Sequence, residues 1–191
     1  TDTDSYNTAV GYYAGLSVTT GSINTIIGAS AADAMTIGTS NVALGFAALG
    51  AEVAGHRNTA IGTYALFNQS NSTSTNAYNT AVGYGAGVDV TTGNNNTFLG
   101  SLAGDAFNTG ASNIAIGVNS LTTDTKGFSA VAIGQDTLST QNFTTATSSY
   151  NVAIGHSTGA SVTTGISNIF IGGLVGDSLN DADYNTAIGT F

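Results

Sequence analysis

One pattern of polar, small and aliphatic positions runs along the whole chain. It reads Asn, a variable residue, Ala, a large aliphatic residue and Gly, as in NTAVG at 7–11, NVALG at 41–45 and NTAIG at 185–189. In an extended segment, the second and fourth residues share one face and the third lies on the other. Each copy therefore predicts one short β-strand, followed by a turn for which Gly supplies the backbone freedom.

These predicted strands recur at a fixed interval. The copies begin at positions 7, 24, 41, 58, 79, 96, 113, 130, 151, 168 and 185, so each run of three 17-residue intervals is followed by one of 21. A 17-residue unit is too short for a helix-loop-helix repeat, which needs about 33 residues, and it suits one coil of a parallel β-solenoid. We therefore expect an all-β parallel solenoid with 17-residue coils and a 21-residue fourth coil.

Four coils make a 72-residue super-repeat. We treat 1–191 as a single repeat domain composed of super-repeats 7–78, 79–150 and the incomplete 151–191. This arrangement predicts that equivalent residues of successive super-repeats lie about 19 Å apart, because neighbouring strands are about 4.8 Å apart.

The two faces of the strand differ in composition. The second position is mostly Thr, Val or Ile, which strands prefer. The fourth position is aliphatic in every copy, and we expect it to form the buried column: Val10, Ile27, Leu44, Ile61, Val82, Leu99, Ile116, Ile133, Ile154, Ile171 and Ile188.

The opposite face then carries Ala in most coils and a large apolar residue in each second coil. An exposed apolar stripe usually marks an interface. The sequence thus predicts an oligomer interface that contains Ile26, Phe98, Phe170, Ala9, Ala43, Ala60, Ala81 and Ala115.

Two turn positions vary together from coil to coil. In the first and second coils, the residue four after the strand Gly is small and the residue seven after it is apolar, as for Gly104 and Phe107. In the third coil the same positions hold Leu and an acid, as for Leu121 and Asp124. Close packing requires a conserved volume, so this covariation favours a packed solenoid.

The Asn that opens each copy is replaced only once, by Ala130. Two interpretations remain open for this column. The Asn side chains form an amide ladder along the coil stack, or Asn is present because it tolerates a turn conformation.

The fourth coil carries four extra residues, within NQSNSTSTNAY at 68–78 and TQNFTTATSSY at 140–150. Inserted residues in a solenoid form loops on one side, which is often the binding side. Our candidates for surface binding are Asn68, Ser70, Asn71, Thr73, Thr75, Asn142, Thr144, Thr147 and Ser149.

Composition and charge exclude several partners. Arg57 and Lys126 are the only cations and the net charge is −9, so we expect no binding to nucleic acid or to anionic membrane surfaces. No apolar run approaches the roughly 18 residues of a membrane span, so we expect no direct membrane insertion. The absence of Cys removes disulfides and thiolate metal sites from consideration.

The repeat resembles a known family. NVAIG at 151–155, AVAIG at 130–134 and NTAIG at 58–62 look like the SVAIG core of YadA-like trimeric adhesin heads, and IGVNS at 116–120 is similar to the continuation of that motif. NTAIG repeats also resemble those of bacteriophage tail fibres. The family's repeat is shorter than this one and lacks the regular insertion.

This resemblance implies a left-handed β-roll or β-helix in a structural or adhesive segment of an extracellular fibre. It implies a location on a cell or virion surface, and association with copies of the same chain as a homotrimer or an end-to-end filament. A host-cell receptor or glycan is the implied ligand.

Acyl transfer is a remote alternative function. The segment IGTYAL at 61–66 resembles the hexapeptide of left-handed β-helix acyltransferases, but that family needs the hexapeptide about three times per coil together with a catalytic His. Here it occurs once per coil, and His56 and His156 hold unrelated coil positions. We expect no catalytic residue, no metal site, no cofactor and no enzyme activity.

Ice binding is the main alternative function. Thr-rich turns occur at SVTTG 17–21, DVTTG 89–93 and SVTTG 161–165, but only in the first coil of each super-repeat. Ice binding requires a regular Thr array on adjacent coils, and Val and Ile interrupt the second-position column.

Overall fold

The computed structural model describes residues 5–190 of the chain. The predicted domain 1–191 includes residues 1–4 and 191, which lie outside the described residues. Eleven three-residue strands form one sheet: β1 (Thr8–Val10), β2 (Thr25–Ile27), β3 (Val42–Leu44), β5 (Thr59–Ile61), β7 (Thr80–Val82), β8 (Thr97–Leu99), β9 (Ile114–Ile116), β11 (Val131–Ile133), β13 (Val152–Ile154), β14 (Ile169–Ile171) and β15 (Thr186–Ile188). Four two-residue strands complete the set: β4 (Gly55–His56), β6 (Thr75–Asn76), β10 (Gly127–Phe128) and β12 (Thr147–Ser148).

The large sheet is parallel and follows the repeat. Thr8 pairs with Thr25 in β1 and β2, and every later pair joins equivalent positions of neighbouring coils. Thr59 pairs with Thr80 across the longer fourth coil, so the four inserted residues leave the register of the sheet unchanged. The fold prediction is confirmed: the chain is an all-β parallel solenoid of about eleven turns.

No helix occurs between residues 5 and 190. It follows that this part of the chain holds no helix that is long and apolar enough to cross a membrane.

The interior is lined by the third position of the five-residue pattern, which is the middle residue of each three-residue strand. Ile26, Phe98 and Phe170 are at most 1% exposed. The fourth position faces solvent instead, with Leu44 42% and Leu99 46% exposed. The prediction of a buried fourth-position column is therefore wrong for Val10, Ile27, Leu44, Leu99, Ile154, Ile171 and Ile188, and Ile61, Val82, Ile116 and Ile133 are only half-buried.

The small interior of the coil explains this inversion. In the third and fourth coils the strand contributes only Ala, and Leu from the following turn fills the centre, as Leu121 does beside Ala115. In the second coil, Phe98 fills the centre from the strand, and the turn has Gly104 in place of Leu. The covariation between the two turn positions is confirmed as packing, because Phe107 lies in the core of the coil whose earlier turn residue is Gly104.

Left-handed backbone recurs where each coil begins its strand. The residue before the strand Asn has positive φ in every coil: Tyr6, Ile23, Ser40, Arg57, Tyr78, Asn95, Ser112, Ser129, Tyr150, Ser167 and Tyr184. This conformation costs a non-Gly residue about 1–2 kcal/mol. Hydrogen bonds between coils offset that cost, since the N–H groups of Arg57 and Asn95 donate to carbonyls of the preceding coil.

The Asn column forms an amide ladder. The backbone N–H of Asn24 donates to Asn7 Oδ1 at 2.8 Å, and the Asn24 side-chain amide donates to the Gly38 carbonyl at 2.9 Å. Asn41, Asn96 and Asn168 repeat this arrangement. The column therefore closes each turn of the solenoid, and the ladder interpretation is confirmed.

Asn58 differs from the other ladder residues. From Asn7 to Asn168, the amide of every other ladder residue donates to a carbonyl 14 residues ahead, but for Asn58 that position is Ser72, within the inserted loop. Asn58 Nδ2 is buried without a hydrogen-bond partner. In the second super-repeat the same position is Ala130, so the exception in the Asn column falls where the insertion removes the acceptor.

Candidate functional site

The exposed face of the eleven-stranded sheet carries two columns of side chains. One column consists of the residues at the fourth position of the five-residue pattern, which are all Val, Leu or Ile. The other consists of the residues at the second position of the pattern: Thr8, Thr25, Val42, Thr59, Thr80, Thr97, Ile114, Val131, Val152, Ile169 and Thr186. Neither column contains a charged residue, so this outer face is an uncharged, largely apolar surface about 50 Å long.

The predicted oligomer interface does not coincide with the outer face. Seven of its eight residues are fully buried inside the coil of the same chain: Ile26, Phe98, Phe170, Ala43, Ala60, Ala81 and Ala115. Ala9 is exposed only because it lies in β1, at the end of the coil stack. The prediction is wrong because side chains at the third position of the five-residue pattern, which carries these residues, point into the solenoid.

In each complete super-repeat the segment with the inserted residues forms a loop that we call a ledge: the first ledge is 68–78 and the second is 140–150. Strand β6 of the first ledge pairs with β4 of the preceding coil, and β12 of the second ledge pairs with β10. Among the candidate loop residues, Ser70, Thr73 and Thr144 are exposed, whereas Asn68, Thr75, Asn142 and Thr147 are half-buried.

Two of the loop candidates are buried rather than surface residues. Asn71 is 5% exposed and donates through its backbone and side chain to Glu52. Ser149 is fully buried, and its backbone N–H donates to the Phe128 carbonyl at 2.9 Å. Both residues anchor the ledges from inside, because the base of an insertion must satisfy its own backbone groups.

A buried carboxylate anchors the first ledge. Glu52 is fully buried, and its Oε1 accepts the backbone N–H groups of Val53, Ala54 and Gly55 at 2.9, 3.0 and 2.7 Å. Its Oε2 accepts the Gln69 amide at 2.6 Å. The next coil still supplies the Asn71 carbonyl to the Ala54 N–H, and the carboxylate supplies the acceptor for the Val53 and Gly55 N–H groups.

Asp124 holds the equivalent position in the second ledge. Its carboxylate accepts the N–H groups of Gly127 and Phe143 at 2.9 and 3.2 Å and the Gln141 amide at 2.7 Å. Burial raises the pKa of Asp124, while these hydrogen bonds act in the opposite direction. We call each acid and its Gln a ledge clamp: Glu52 with Gln69, and Asp124 with Gln141.

The clamps connect the ledges to the Asn ladder. Gln69 Oε1 accepts the side-chain amide of Asn79 at 2.9 Å, and Gln141 Oε1 accepts that of Asn151 at 2.8 Å. Sequence reasoning missed this role. The available signal was an acid followed by Gln at the same position of the next coil, only where that coil carries the insertion.

The histidines do not form a catalytic pair. His56 Nδ1 accepts the Thr39 N–H at 2.9 Å, so in the neutral ring Nε2 carries the proton and donates to Ser74 Oγ at 2.6 Å. His56 in this tautomer is not a base toward Ser74. His156 is exposed on a different coil, next to Gly155.

Metal ligands are likewise dispersed. Residues 5–190 contain no group of three or more His, Cys, Asp or Glu side chains arranged to hold a metal ion.

Comparison with known proteins gave no match. No family model, no curated protein and no solved structure matched this chain.

Proposed function

We propose that this chain is a structural segment of an extracellular or virion surface fibre, in which copies associate through the outer face and carry the ledges as adhesive elements. One observation carries the proposal: an uncharged apolar surface extends over all eleven strands and is not needed for the core of the coil.

The regularity of the outer face favours a second copy of the same chain as the partner. The Val, Leu and Ile side chains of the fourth-position column repeat at the spacing of the strands, about 4.8 Å. The surface of an unrelated globular protein does not repeat at this spacing over eleven coils, whereas the outer face of a second copy repeats at the same spacing along its full length. Burial of such a surface stabilises an assembly by about 25 cal/mol for each Å² of apolar area removed from water.

The amino-acid pattern and the resemblance to trimeric adhesin heads support a homotrimer, with end-to-end filaments as the related possibility. In either assembly the ledges recur about every 19 Å along the axis. Their exposed residues, among them Ser70, Thr73 and Thr144, are short and polar. We propose that the ledges contact a host-cell receptor or glycan.

Mass and shape measurements test the assembly. Light scattering and negative-stain electron microscopy are expected to give trimers or elongated filaments for the unmodified chain. The paired substitution Leu99→Lys and Ile154→Lys places two charges on the outer face, where both residues are exposed, and is expected to dissociate the assembly.

A matched control has the same charge change elsewhere. Thr109 and Thr164 are exposed turn residues outside the sheet, so Thr109→Lys with Thr164→Lys is expected to preserve the assembly. Circular dichroism checks that both variants remain folded. A compact, well-folded monomer at high protein concentration contradicts the proposal.

Ice binding remains the second candidate because the Thr column faces outward, with Thr25 and Thr80 exposed on the sheet. Val42, Ile114, Val131, Val152 and Ile169 interrupt this column. Thermal hysteresis that persists in a monomer and is lost on Thr80→Tyr supports ice binding over assembly.

A further inference from the structure

The exposed surface departs from the 72-residue repeat beside the first ledge. Packing within the coil explains residues that are identical in each super-repeat. It does not explain an exposed residue that differs between super-repeats. His56 and Arg57 end the third coil of the first super-repeat, and the equivalent residues of the second are Phe128 and Ser129. Arg57 is also the only arginine of a chain with net charge −9.

The guanidinium of Arg57 is held in place by Tyr78. Its Nη1 donates to the Tyr78 hydroxyl at 2.6 Å, and its central carbon lies 5.4 Å from the centre of the ring. Both residues have left-handed backbone, and the Arg57 N–H donates to the Thr39 carbonyl of the preceding coil at 3.0 Å. Fixing the side chain before binding reduces the entropy that a ligand must otherwise offset.

The charge of Arg57 is not compensated within the described chain. Its side chain has no carboxylate within ion-pair distance among residues 5–190, and the Tyr78 hydroxyl uses one of its five N–H donors. A fork of N–H donors matches the two oxygens of a carboxylate.

Polar groups of the first ledge neighbour Arg57 along the chain and across the short sheet formed by β4 and β6. His56, which precedes Arg57, donates from Nε2 to Ser74 Oγ. Ser74 is the acceptor in this bond, so its hydroxyl hydrogen can be donated to a different group. Asn76 pairs with His56 in the short sheet and is exposed. Hydroxyl and amide groups at a fixed ledge suit a ligand that carries several hydroxyl groups.

We propose that Arg57, Tyr78 and the adjacent polar groups of the first ledge bind a sugar that bears a single carboxylate. The carboxylate accepts from the free edge of the guanidinium, and the ring hydroxyls of the sugar bond to the ledge. A polyanion is disfavoured because one cation faces a net charge of −9, and a neutral sugar leaves the fork unused.

The second ledge provides an internal control. It keeps Tyr150 at the position of Tyr78 but has Ser129 at the position of Arg57. Lys126 lies three residues before Ser129, and its ammonium group is a point charge without the planar fork. The second ledge is therefore expected to bind the carboxylated sugar weakly or not at all.

Nuclear magnetic resonance tests the site on the whole chain. The Nε–Hε signal of Arg57 is unambiguous because no other arginine is present. We expect methyl β-glucuronide to shift this signal and the ring signals of Tyr78, with affinity about tenfold higher than methyl β-glucoside or acetate. Arg57→Ser, which reproduces the second ledge, is expected to abolish the Tyr78 shift, and Ser129→Arg is expected to create a second site at Tyr150.

Three outcomes overturn the proposal. Methyl β-glucoside produces the same shifts as the glucuronide, acetate alone binds as tightly as the glucuronide, or the glucuronide shifts Lys126 and leaves Arg57 unchanged. The proposal deepens the adhesive role and rests on it for its biological meaning. The binding measurement itself does not require self-association, so failure of the light-scattering test and failure of this test are distinguishable.

Discussion

Phe98 excludes any side chain at position 104. A Cβ added to Gly104 would lie 2.5 Å from Phe98 Cδ1, well inside any real carbon contact. The first super-repeat solves the same packing problem with Ile26 and Ala32, which are both buried. The strand residue and the turn residue of this coil thus compete for the same interior space.

We expect Gly104→Ala to destabilise the chain by about 1–3 kcal/mol, because the ring must move in a close-packed interior. Adding Phe98→Ile reproduces the pair found at Ile26 and Ala32 and is expected to recover about 1 kcal/mol of that loss. Denaturant unfolding of both single variants and the double variant gives the coupling. Strict additivity contradicts the shared-volume explanation.

Asn58 and Asn41 are neighbours in the ladder with different hydrogen bonding. Asn41 Nδ2 donates to Asn24 Oδ1 and to the Gly55 carbonyl, whereas Asn58 Nδ2 has no partner. We expect Asn41→Ala to cost about 2–4 kcal/mol and Asn58→Ala about 1 kcal/mol, because the latter also removes an unsatisfied donor. Thermal unfolding of the two variants provides the comparison, and equal losses contradict the assignment.

Removal of the acid from the first ledge clamp is expected to weaken only the first ledge. Glu52→Ala leaves the N–H groups of Val53, Gly55 and Asn71 without their acceptor, whereas the Ala54 N–H keeps its bond to the Asn71 carbonyl, and the expected cost is about 3 kcal/mol or more. Hydrogen exchange is expected to accelerate at the Val53, Gly55 and Asn71 amides.

The second ledge serves as the control for that experiment. Protection of the Gly127 and Phe143 amides is expected to stay unchanged in Glu52→Ala, because Asp124 is intact. Loss of protection at both ledges contradicts independent clamps and indicates cooperative unfolding of the stack.

Acidic pH is expected to stabilise the chain through Asp105. Burial raises the pKa of this half-buried carboxyl, and the charge of Asp89 acts in the same direction, whereas the hydrogen bond from Thr122 opposes them. An acid whose pKa is higher in the folded state binds more protons when folded, so stability falls as pH rises through that pKa. The contribution is present below the ordinary pKa of Asp and lost above the raised value.

Asp105→Asn mimics the protonated form. We expect it to raise the melting temperature at pH 7 and to reduce the gain in stability that accompanies a fall in pH from 7 toward the ordinary pKa of Asp. Asp177→Asn, at the exposed equivalent position, is the control and is expected to change little. An unchanged pH profile in Asp105→Asn contradicts the assignment.

The repeat interval made the fold predictable from sequence. Eleven copies of a strand pattern at intervals of 17 and 21 residues specify a parallel solenoid, since no other arrangement pairs every copy with the next in register. The position of the insertion was equally readable, because Ser/Thr-rich additions in a repeat form loops. Fibre assembly, location and ligand remain proposals.

The tertiary structure decided which side of each strand is inside. Both sides of NTAIG carry apolar residues, so the alternation alone did not identify the core. The second coil encloses a large strand residue with a small turn residue, the third and fourth coils enclose Ala with Leu, and the uniform Val, Leu and Ile of the fourth position are placed outside. The acids of the clamps, Glu52 and Asp124, looked like turn residues in sequence and are buried only because the inserted coil leaves backbone donors that a carboxylate must satisfy.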